Sequence, residues 1–302
     1  MDSRDTTSPF LSRSGTRSSV IWGIVLSVVS AVVLAFADLF KKRFGAHAPY
    51  ETVIWTTVGC GTVVGFIASV LTGATISDPF QLLWLPLATA LFIAGEITFI
   101  RSITVGELSE VAPLRAAGPI FSLIAAMILF SESPEPIALA GVALVVVGVW
   151  LLSPRARRAP GPVFSPGMRF MILSQFLGVG VSLAIKAASE GVSPLLFFSL
   201  VMLGEWLYFS WILWRRGENP LALFRHSPAE SSAMAMLWGV GIIGISIAPV
   251  YTLVAYAYAG SQVYLPVSLV VSYLFLGERE VIKRIGPAAI ILGGVVFVIL
   301  GA

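Results

Sequence analysis

The stretch that decides the fold is IALAGVALVVVGVWLL at residues 137–152, which contains no ionisable side chain. A second stretch, IGPAAIILGGVVFVIL at residues 285–300, has the same character. The runs are continuously apolar rather than alternating, which favours membrane helices over the strands of a β-barrel. The whole chain is 57% hydrophobic and 12% charged, against roughly 25% charged residues in ordinary soluble domains. These features predict an integral membrane protein.

The apolar runs outside these two stretches set the number of spans. Each membrane helix needs about 20 mostly apolar residues, so ten of them leave little of the 302 residues for a soluble domain. The ten predicted spans are 20–40, 50–71, 82–105, 109–130, 137–152, 169–188, 194–214, 234–258, 261–276 and 285–300. The sequence therefore predicts an all-α polytopic protein of ten transmembrane helices, multi-pass in the cell (inner) membrane.

The beginning of the chain has two interpretations. Residues 1–18 are polar and predict a disordered tail, and the apolar run after them ends in Ala35-Phe36-Ala37, which imitates a signal-peptide cleavage site. That run is long enough to span a membrane and has a counterpart in the second half. Both observations favour a retained first span over a cleaved signal peptide.

The two halves of the chain resemble each other. Four residues of the first half have an identical residue 145 positions later: Lys41 has Lys186, Pro49 has Pro194, Gly141 has Gly286 and Gly148 has Gly293. Between these positions the offset changes, because Pro113 aligns best with Pro266, 153 residues later. This change predicts that the second half lacks about two helical turns before Leu274, so that its ninth helix is short. The predicted organisation is a tail at 1–18, a first five-helix repeat at 19–152, a linker at 153–167 and a second repeat at 168–302.

The number of spans in each half decides their relative orientation. Five is odd, so the second half must enter the membrane upside down relative to the first. Inverted repeats are typical of secondary transporters, which hold their substrate near the bilayer midplane between the repeats.

Several short motifs resemble a known family. They are GELSEVAP at 106–113 and LFSE at 129–132 in the first half, and LFLGER at 274–279 in the second. With the flanking glycines they resemble EamA-type proteins of the drug/metabolite transporter superfamily, over roughly residues 20–300. The first half departs from the pattern at 130–133, with Phe-Ser-Glu-Ser in place of Leu-Gly-Glu-Arg.

The resemblance implies a fold and a broad substrate range. It implies ten helices around a central cavity. Helices one to four and six to nine line this cavity, and helices five and ten lie outside it. It implies substrates such as amino acids, other metabolites or drugs. The family is usually drawn with both termini in the cytoplasm, whereas the basic loops, by the positive-inside rule, place both termini outside. Both orientations stay open.

Ionisable residues inside spans are the candidates for the site, because each costs about 2.5–3.5 kcal/mol at the bilayer centre. They are Asp38, Glu96, Arg101, Arg115, Lys186 and Glu205. Glu96 and Glu205 lie deepest. Glu96 is interpreted as a proton-coupling carboxylate, a binding group for a substrate amine, or one half of a structural ion pair. Arg115 is its better partner, because Arg101 is five residues away and does not share its helix face.

The remaining candidates have simpler explanations beside the functional one. Asp38 and Lys186 lie near the ends of spans and can reach the interface. Tyr251 belongs either to an aromatic substrate pocket or to an interfacial belt. Gly61, Gly65, Gly178 and residues 239–244 predict close contacts between helices.

The function predicted from these features is secondary transport, with export as the direction, of a small polar or amphipathic metabolite such as an amino acid. A proton or a counter-substrate is the expected coupling partner, and the protein is expected as a monomer or homodimer. One cysteine and two histidines make a metal site improbable, and no cofactor, nucleic acid or enzymatic reaction is expected. The alternatives are an intramembrane enzyme acting on lipid or peptide, and a membrane scaffold that does not transport.

Overall fold

A computed structural model describes residues 17–44, 49–105, 117–130, 134–152, 165–276 and 285–301. Nearly all of these residues are helical, and within the described ranges no strand is present. A single isolated antiparallel bridge joins Ile76 to Val192. The prediction of an all-α protein is confirmed.

The helices fall into two sets that follow the two halves of the sequence. The first half contains α1 Arg17–Phe44, α2 Tyr50–Leu71, α3 Trp84–Val105, α4 Ala117–Phe130 and α5 Pro136–Leu152, with a 3₁₀ turn at Pro79–Leu83 before α3. The second half contains α6 Pro166–Ala188, α7 Pro194–Arg216, α8 Ala222–His226, α9 Pro228–Tyr251, α10 Val254–Ser261, α11 Tyr264–Leu276 and α12 Ile285–Leu300.

Seven segments in the described part of the chain are long and apolar enough to cross a membrane. They are Ser18–Ala37, Tyr50–Leu71, Pro79–Ser102, Pro166–Ala188, Pro194–Arg216, Pro228–Tyr251 and Val254–Phe275. Three shorter apolar helices, α4, α5 and α12, lie where the fourth, fifth and tenth spans were predicted. The protein is therefore a multi-pass helical membrane protein.

Local sequence explains several helix ends. Proline occupies the first turn of α6, α7 and α9, where its missing N–H has no intrahelical partner to lose. The Ser165 side chain also accepts a hydrogen bond from the Met168 amide and caps α6. Helix α7 ends at Gly217, whose φ of 66° is the left-handed conformation that glycine adopts without strain.

The boundary between the predicted eighth and ninth spans is wrong. The predicted eighth span ran to Tyr258, but α9 ends at Tyr251, and Thr252 and Leu253 are extended. Pro249, inside the last turn of α9, has no N–H with which to continue the helical ladder. The ninth span therefore begins at Val254 instead of residue 261.

The predicted loss of two turns from the second half is also wrong. The segment Val254–Phe275 is 22 residues long, and α10 fills the space that the alignment of Pro113 with Pro266 had left empty. Pro113 itself lies outside the described residues.

Helices of one half pack chiefly against helices of the other. The most extensive contacts join α1 to α9, α3 to α6, α2 to α7, and α5 to α12. The two halves therefore interlock instead of lying side by side.

All four pairs are antiparallel. Along α2 and α7, Trp55 contacts Ser210 while Gly65, further along α2, contacts Ser199, earlier in α7. The other three pairs show the same reversed order. Between α1 and α9, Gly23 contacts Thr252 and Ser30 contacts Gly244; between α3 and α6, Leu91 contacts Gly180 and Gly95 contacts Ser174. Between α5 and α12, Gly141 contacts Val298 and Gly148 contacts Ile291.

Candidate functional site

A cavity of about 260 Å³ lies between helices of both halves. Its walls come from α1 and α3 of the first half and from α6, α9, α10 and α11 of the second, with Gln262 in the turn between the last two. The polar residues that line it are Glu96, Ser174, Gln175, Tyr258, Ser261, Gln262 and Tyr264. A concave space with a few polar groups among apolar side chains is the usual form of a small-molecule site.

Glu96 lies on the α3 wall and is the one carboxylate among the described residues that line the cavity. The neighbouring Gly95 lets α6 approach closely, and Ser174 of α6 donates a hydrogen bond to its carbonyl oxygen at 3.1 Å. This contact fixes the position of the α3 segment from which the Glu96 side chain projects. The structure thus places the leading candidate of the sequence at the cavity wall.

Tyr258 of α10 lies on the opposite side of the cavity. Its hydroxyl is 3.3 Å from the hydroxyl of Ser182 on α6. Glycines make room for the ring: a Cβ atom at Gly118 would lie 3.3 Å from the Tyr258 ring, and one at Gly178 would lie 3.7 Å from its hydroxyl. Gly178 is therefore a lining residue rather than the close helix contact predicted for it.

Aromatic rings supply much of the apolar surface of the cavity. The rings are those of Phe92, Phe99, Trp238, Tyr258 and Tyr264. Phe92 is held edge-on against Phe198 with ring centroids 5.4 Å apart. Such rigid walls suit a solute that has an apolar part as well as polar groups.

Lys186 lies beyond the cavity, in the last turn of α6. Its side chain is only 8% exposed, and its Nζ donates to the carbonyl oxygen of Thr252 at 3.4 Å. That carbonyl belongs to the break between α9 and α10, where the helical ladder is interrupted. The interfacial interpretation of Lys186 is wrong, because the ammonium group points into the protein.

The other predicted site residues are not brought to the cavity by the described structure. Glu205 is fully buried within α7 and does not line it. Arg101 is exposed near the end of α3, and Tyr251 is 45% exposed at the end of α9. Arg115 and the side chain of Asp38 lie outside the described residues. The roles of all five remain predictions.

The structure adds residues that the sequence analysis did not single out. Gln175, Tyr258, Gln262 and Trp238 line the cavity. The two glutamines carried a usable signal, since an amide inside an apolar span needs a hydrogen-bond partner. Among the described residues, no cluster of three histidine, cysteine or carboxylate side chains could hold a metal ion.

A second depression, of about 420 Å³, lies at the outer surface around the 3₁₀ turn. It is lined by Phe80, Gln81, Leu83, Trp84 and Leu87, and the Phe80 side chain is 77% exposed. All five residues come from a single segment, and one amide is their only polar side chain. This depression is open surface, so the central cavity is the better candidate for a site.

Comparison with known proteins agrees with this architecture. A solved protein described only as a crystal structure superimposes with a TM-score of 0.68 at 17% sequence identity, covering 93% of this chain and 96% of the other. In all, 28 solved chains match the fold. Among curated proteins no sequence match was found.

The fold is that of a polytopic helical membrane protein. Residues 21–153 match the model of the EamA-like transporter family. The resemblance to EamA-type proteins of the drug/metabolite transporter superfamily is thereby confirmed over these residues.

Proposed function

We propose that the protein is a secondary transporter that exports a small polar or amphipathic metabolite by alternating access around the central cavity. The observation that carries this proposal is the cavity itself, which helices of both halves line and which brings the Glu96 carboxylate together with neutral hydrogen-bonding side chains. The match of residues 21–153 to a transporter family supports the same class of function.

The proposal includes ten spans in two inverted repeats, at 19–152 and 168–302. The antiparallel packing of α1 against α9 supports the inversion: α9 is the third helix of the second half, and the third helix of an up-down-up set runs parallel to the first. Helices α5 and α12 are 17 and 16 residues long, about 25 Å, so the bilayer would thin slightly around them. They pack mainly against each other, at the outside of the bundle.

Such a relation between the halves gives a physical basis for alternating access. If the two repeats can exchange conformations, the protein has two states of similar energy. In one state the cavity is closed at one face of the membrane, and in the second state it is closed at the opposite face. Near-equal energies are needed because a solute can shift the equilibrium only by its difference in affinity for the two states.

The cavity supports a small substrate. Its volume of about 260 Å³ is below the roughly 300–1,000 Å³ of sites that hold drug-sized ligands. An amino acid or a solute of similar size fits this limit. The aromatic walls would contact its apolar part, and Gln175, Gln262 and the tyrosine hydroxyls would bind its polar groups.

Glu96 is the proposed coupling or substrate-binding residue. A carboxylate inside a membrane protein is costly unless it is paired or used, and at a cavity wall it can exchange a proton or bind an amine. The chain has no phosphate-binding loop, so the energy would come from a proton gradient, exchange or downhill flux. The proposed location is the cell (inner) membrane.

The test combines binding and flux. Purified protein is first screened for thermal stabilisation by amino acids, nucleosides, sugars and organic cations, and flux of any hit is then measured in reconstituted vesicles across pH. Glu96→Gln is expected to weaken transport or flatten its pH dependence without unfolding the protein. Glu135→Gln, at an exposed position before α5, is the control and should behave like the parent. Unaltered flux across pH in Glu96→Gln would rule out the role of Glu96.

A further inference from the structure

One short segment, residues 186–193, joins three parts of the protein at a single end of the bundle. This is the end at which α1 begins, since Gly23 of α1 packs against Thr252 there. The segment runs from the last turn of α6 to the start of α7. It contacts the break between α9 and α10 on one side and the connection between α2 and α3 on the other.

The first contact is the hydrogen bond from Lys186 Nζ to the carbonyl oxygen of Thr252 at 3.4 Å. Lys186 lies five residues beyond the lining residue Val181, about 7.5 Å along the helix. Thr252 lies seven residues beyond Ile245, which also lines the cavity. The bond therefore crosses the space directly beyond the cavity at the end where α1 begins.

One polar group at this contact, the Thr252 hydroxyl, is buried without a hydrogen bond to any described residue. The Thr252 side chain is 3% exposed, and its hydroxyl has no hydrogen-bond partner among the described residues. A buried hydroxyl without a partner is unfavourable, because it has lost its hydrogen bonds to water. Opening this end to water would remove that penalty.

The second contact is a short antiparallel pairing. The Ser77 amide donates to the Gly191 carbonyl at 2.8 Å, and the Ser193 amide donates to the Thr75 carbonyl at 3.0 Å. The Thr75 amide in turn donates to the Ser193 hydroxyl at 2.9 Å. At Gly191 the chains are so close that a Cβ atom would lie 2.5 Å from the Cβ of Asp78.

Among the described residues, the opposite end of the bundle carries a contact of a different kind. There Arg216, at the end of α7, forms an ion pair with Glu51 of α2 at 2.5 Å. The positions one repeat offset of 145 away are Leu71 and Leu196, so the pair has no counterpart at the end where α1 begins. The two ends are thus held by non-equivalent contacts, although the helices are arranged alike.

We propose that residues 186–193 form a latch that keeps the cavity closed at the end where α1 begins, and that both of its contacts must break for the cavity to open there. The inference rests on the proposed alternating access. In this proposal Lys186 acts in gating rather than in substrate binding, and its hydrogen-bond acceptor in the closed state is the carbonyl of Thr252.

The pairing at Ile76 and Val192 allows the latch to be locked. The two residues form a non-hydrogen-bonded antiparallel pair, whose Cα atoms are about 4.5 Å apart, within the range that a disulfide requires. The locked variant carries Ile76→Cys and Val192→Cys in a Cys60→Ser background. The matched control carries Ile76→Cys alone in the same Cys60→Ser background, so it cannot form the disulfide across the pairing.

Accessibility of the cavity is the readout, because it needs no substrate. Gln175→Cys is added to each variant, and a membrane-impermeant maleimide is applied from the side of the N-terminus, which a cleavable tag identifies. Modification is quantified on the peptide that carries residue 175. Oxidation of the locked variant is expected to reduce the labelling rate at least tenfold, with recovery on reduction. The oxidised control should label at the parental rate.

Removing the side-chain contact should have the opposite effect. Lys186→Met keeps the length of the side chain and deletes the ammonium group, so labelling of Gln175→Cys from the same side is expected to rise at least threefold. Unchanged labelling in both the oxidised 76/192 variant and Lys186→Met would overturn the latch. If Lys186→Met does not fold, the oxidised variant decides alone.

Flux separates the latch from the proposed function. Uptake of a mixture of radiolabelled amino acids is measured in vesicles of the parent and of the 76/192 variant, both with Gln175 retained. If the parent shows no uptake while locking still blocks labelling, the latch stands and the proposed substrate class fails. If the oxidised variant transports at the parental rate, the latch is wrong and the proposed function stands.

Discussion

Gly239 of α9 and Gly61 of α2 pack backbone against backbone: a Cβ atom at position 239 would lie 2.7 Å from the Cα atom of Gly61. In lipid, helices gain no hydrophobic energy by associating, so small residues that permit close packing stabilise the contact. The sequence analysis predicted close contacts at Gly61, Gly65 and residues 239–244. Gly65 against Ser199, and Gly241 against Leu34, confirm the pattern elsewhere in the bundle.

Because these two glycines are so close, we predict that adding one methyl group at position 239 destabilises the fold. Gly239→Ala would press its Cβ atom against main-chain atoms of α2, which cannot rotate away as a side chain can. We expect a loss of about 1–3 kcal/mol, the usual range for overpacking. The measurement is the unfolding midpoint of the protein in detergent. Gly293→Ala is the control, because nothing lies within 4 Å of its added methyl group, and an equal midpoint for the two variants would contradict the prediction.

A second prediction concerns the hydrogen bond that crosses from α2 to α7. Trp55 Nε1 donates to the Ser210 hydroxyl at 2.7 Å. Ser210→Ala leaves the partly buried indole N–H without its acceptor, so the variant should lose about 1 kcal/mol of stability. Ser268→Ala is the matched control, since the Ser268 hydroxyl donates only to a carbonyl of its own helix. The unfolding midpoints of the two variants should differ; a shared value would show that the cross-helix bond does not stabilise the fold.

The ion pair at the far end of α7 gives a third prediction. Glu51 is 3% exposed and its partner Arg216 is 51% exposed, so Arg216→Ala leaves a buried carboxylate without its cation. We expect a fall in Tm at least twice that caused by Arg215→Ala, whose guanidinium lies over the ring of Trp211. Because the arginine reaches water, added salt should narrow the difference. Tm values at low and high salt test this, and an equal effect of the two arginines would contradict it.

Much of the fold could be predicted from the sequence because apolar runs and prolines are local signals. Pro194 and Pro228 begin helices in the structure, and the run at 285–300 is a helix over its full length. Pro249 is a local signal for a break in this helix, but hydropathy continues unchanged from residue 234 to 258, so the predicted span ran past Thr252. Contacts from other helices hold the break, since Gly23 and Lys186 contact it from α1 and α6.

The candidate site was only partly predictable for a related reason. Glu96 and Glu205 give the same signal, a carboxylate within an apolar span, yet one lines the cavity and the other is buried inside α7. Their helices are apolar on nearly every side, so periodicity does not reveal which face points inward. Tyr258 is uncharged and costs less to bury than a carboxylate, which left it without a distinguishing signal.

The contact between Tyr258 and Ser182 gives a fourth prediction, because it joins a cavity-lining side chain of α10 to α6. Their hydroxyls are 3.3 Å apart, so Tyr258→Phe and Ser182→Ala should each lose about 0.5–1.5 kcal/mol. If the hydroxyls interact directly, the double variant should lose less than the sum of the two single losses, which unfolding measurements will show. Fully additive losses would mean that the two groups act independently.

The same residue should control the size of the solute that the cavity accepts. Tyr258 fills the space beside Gly118 and Gly178, and Tyr258→Ala would add the volume of a phenol ring to a cavity of about 260 Å³. Solutes larger than those that stabilise the parent should therefore stabilise Tyr258→Ala, while Tyr258→Phe keeps the parental size limit. A ligand-stabilisation screen over a series of increasing size measures the shift. An unchanged limit in Tyr258→Ala would show that the ring does not bound the space that the solute occupies.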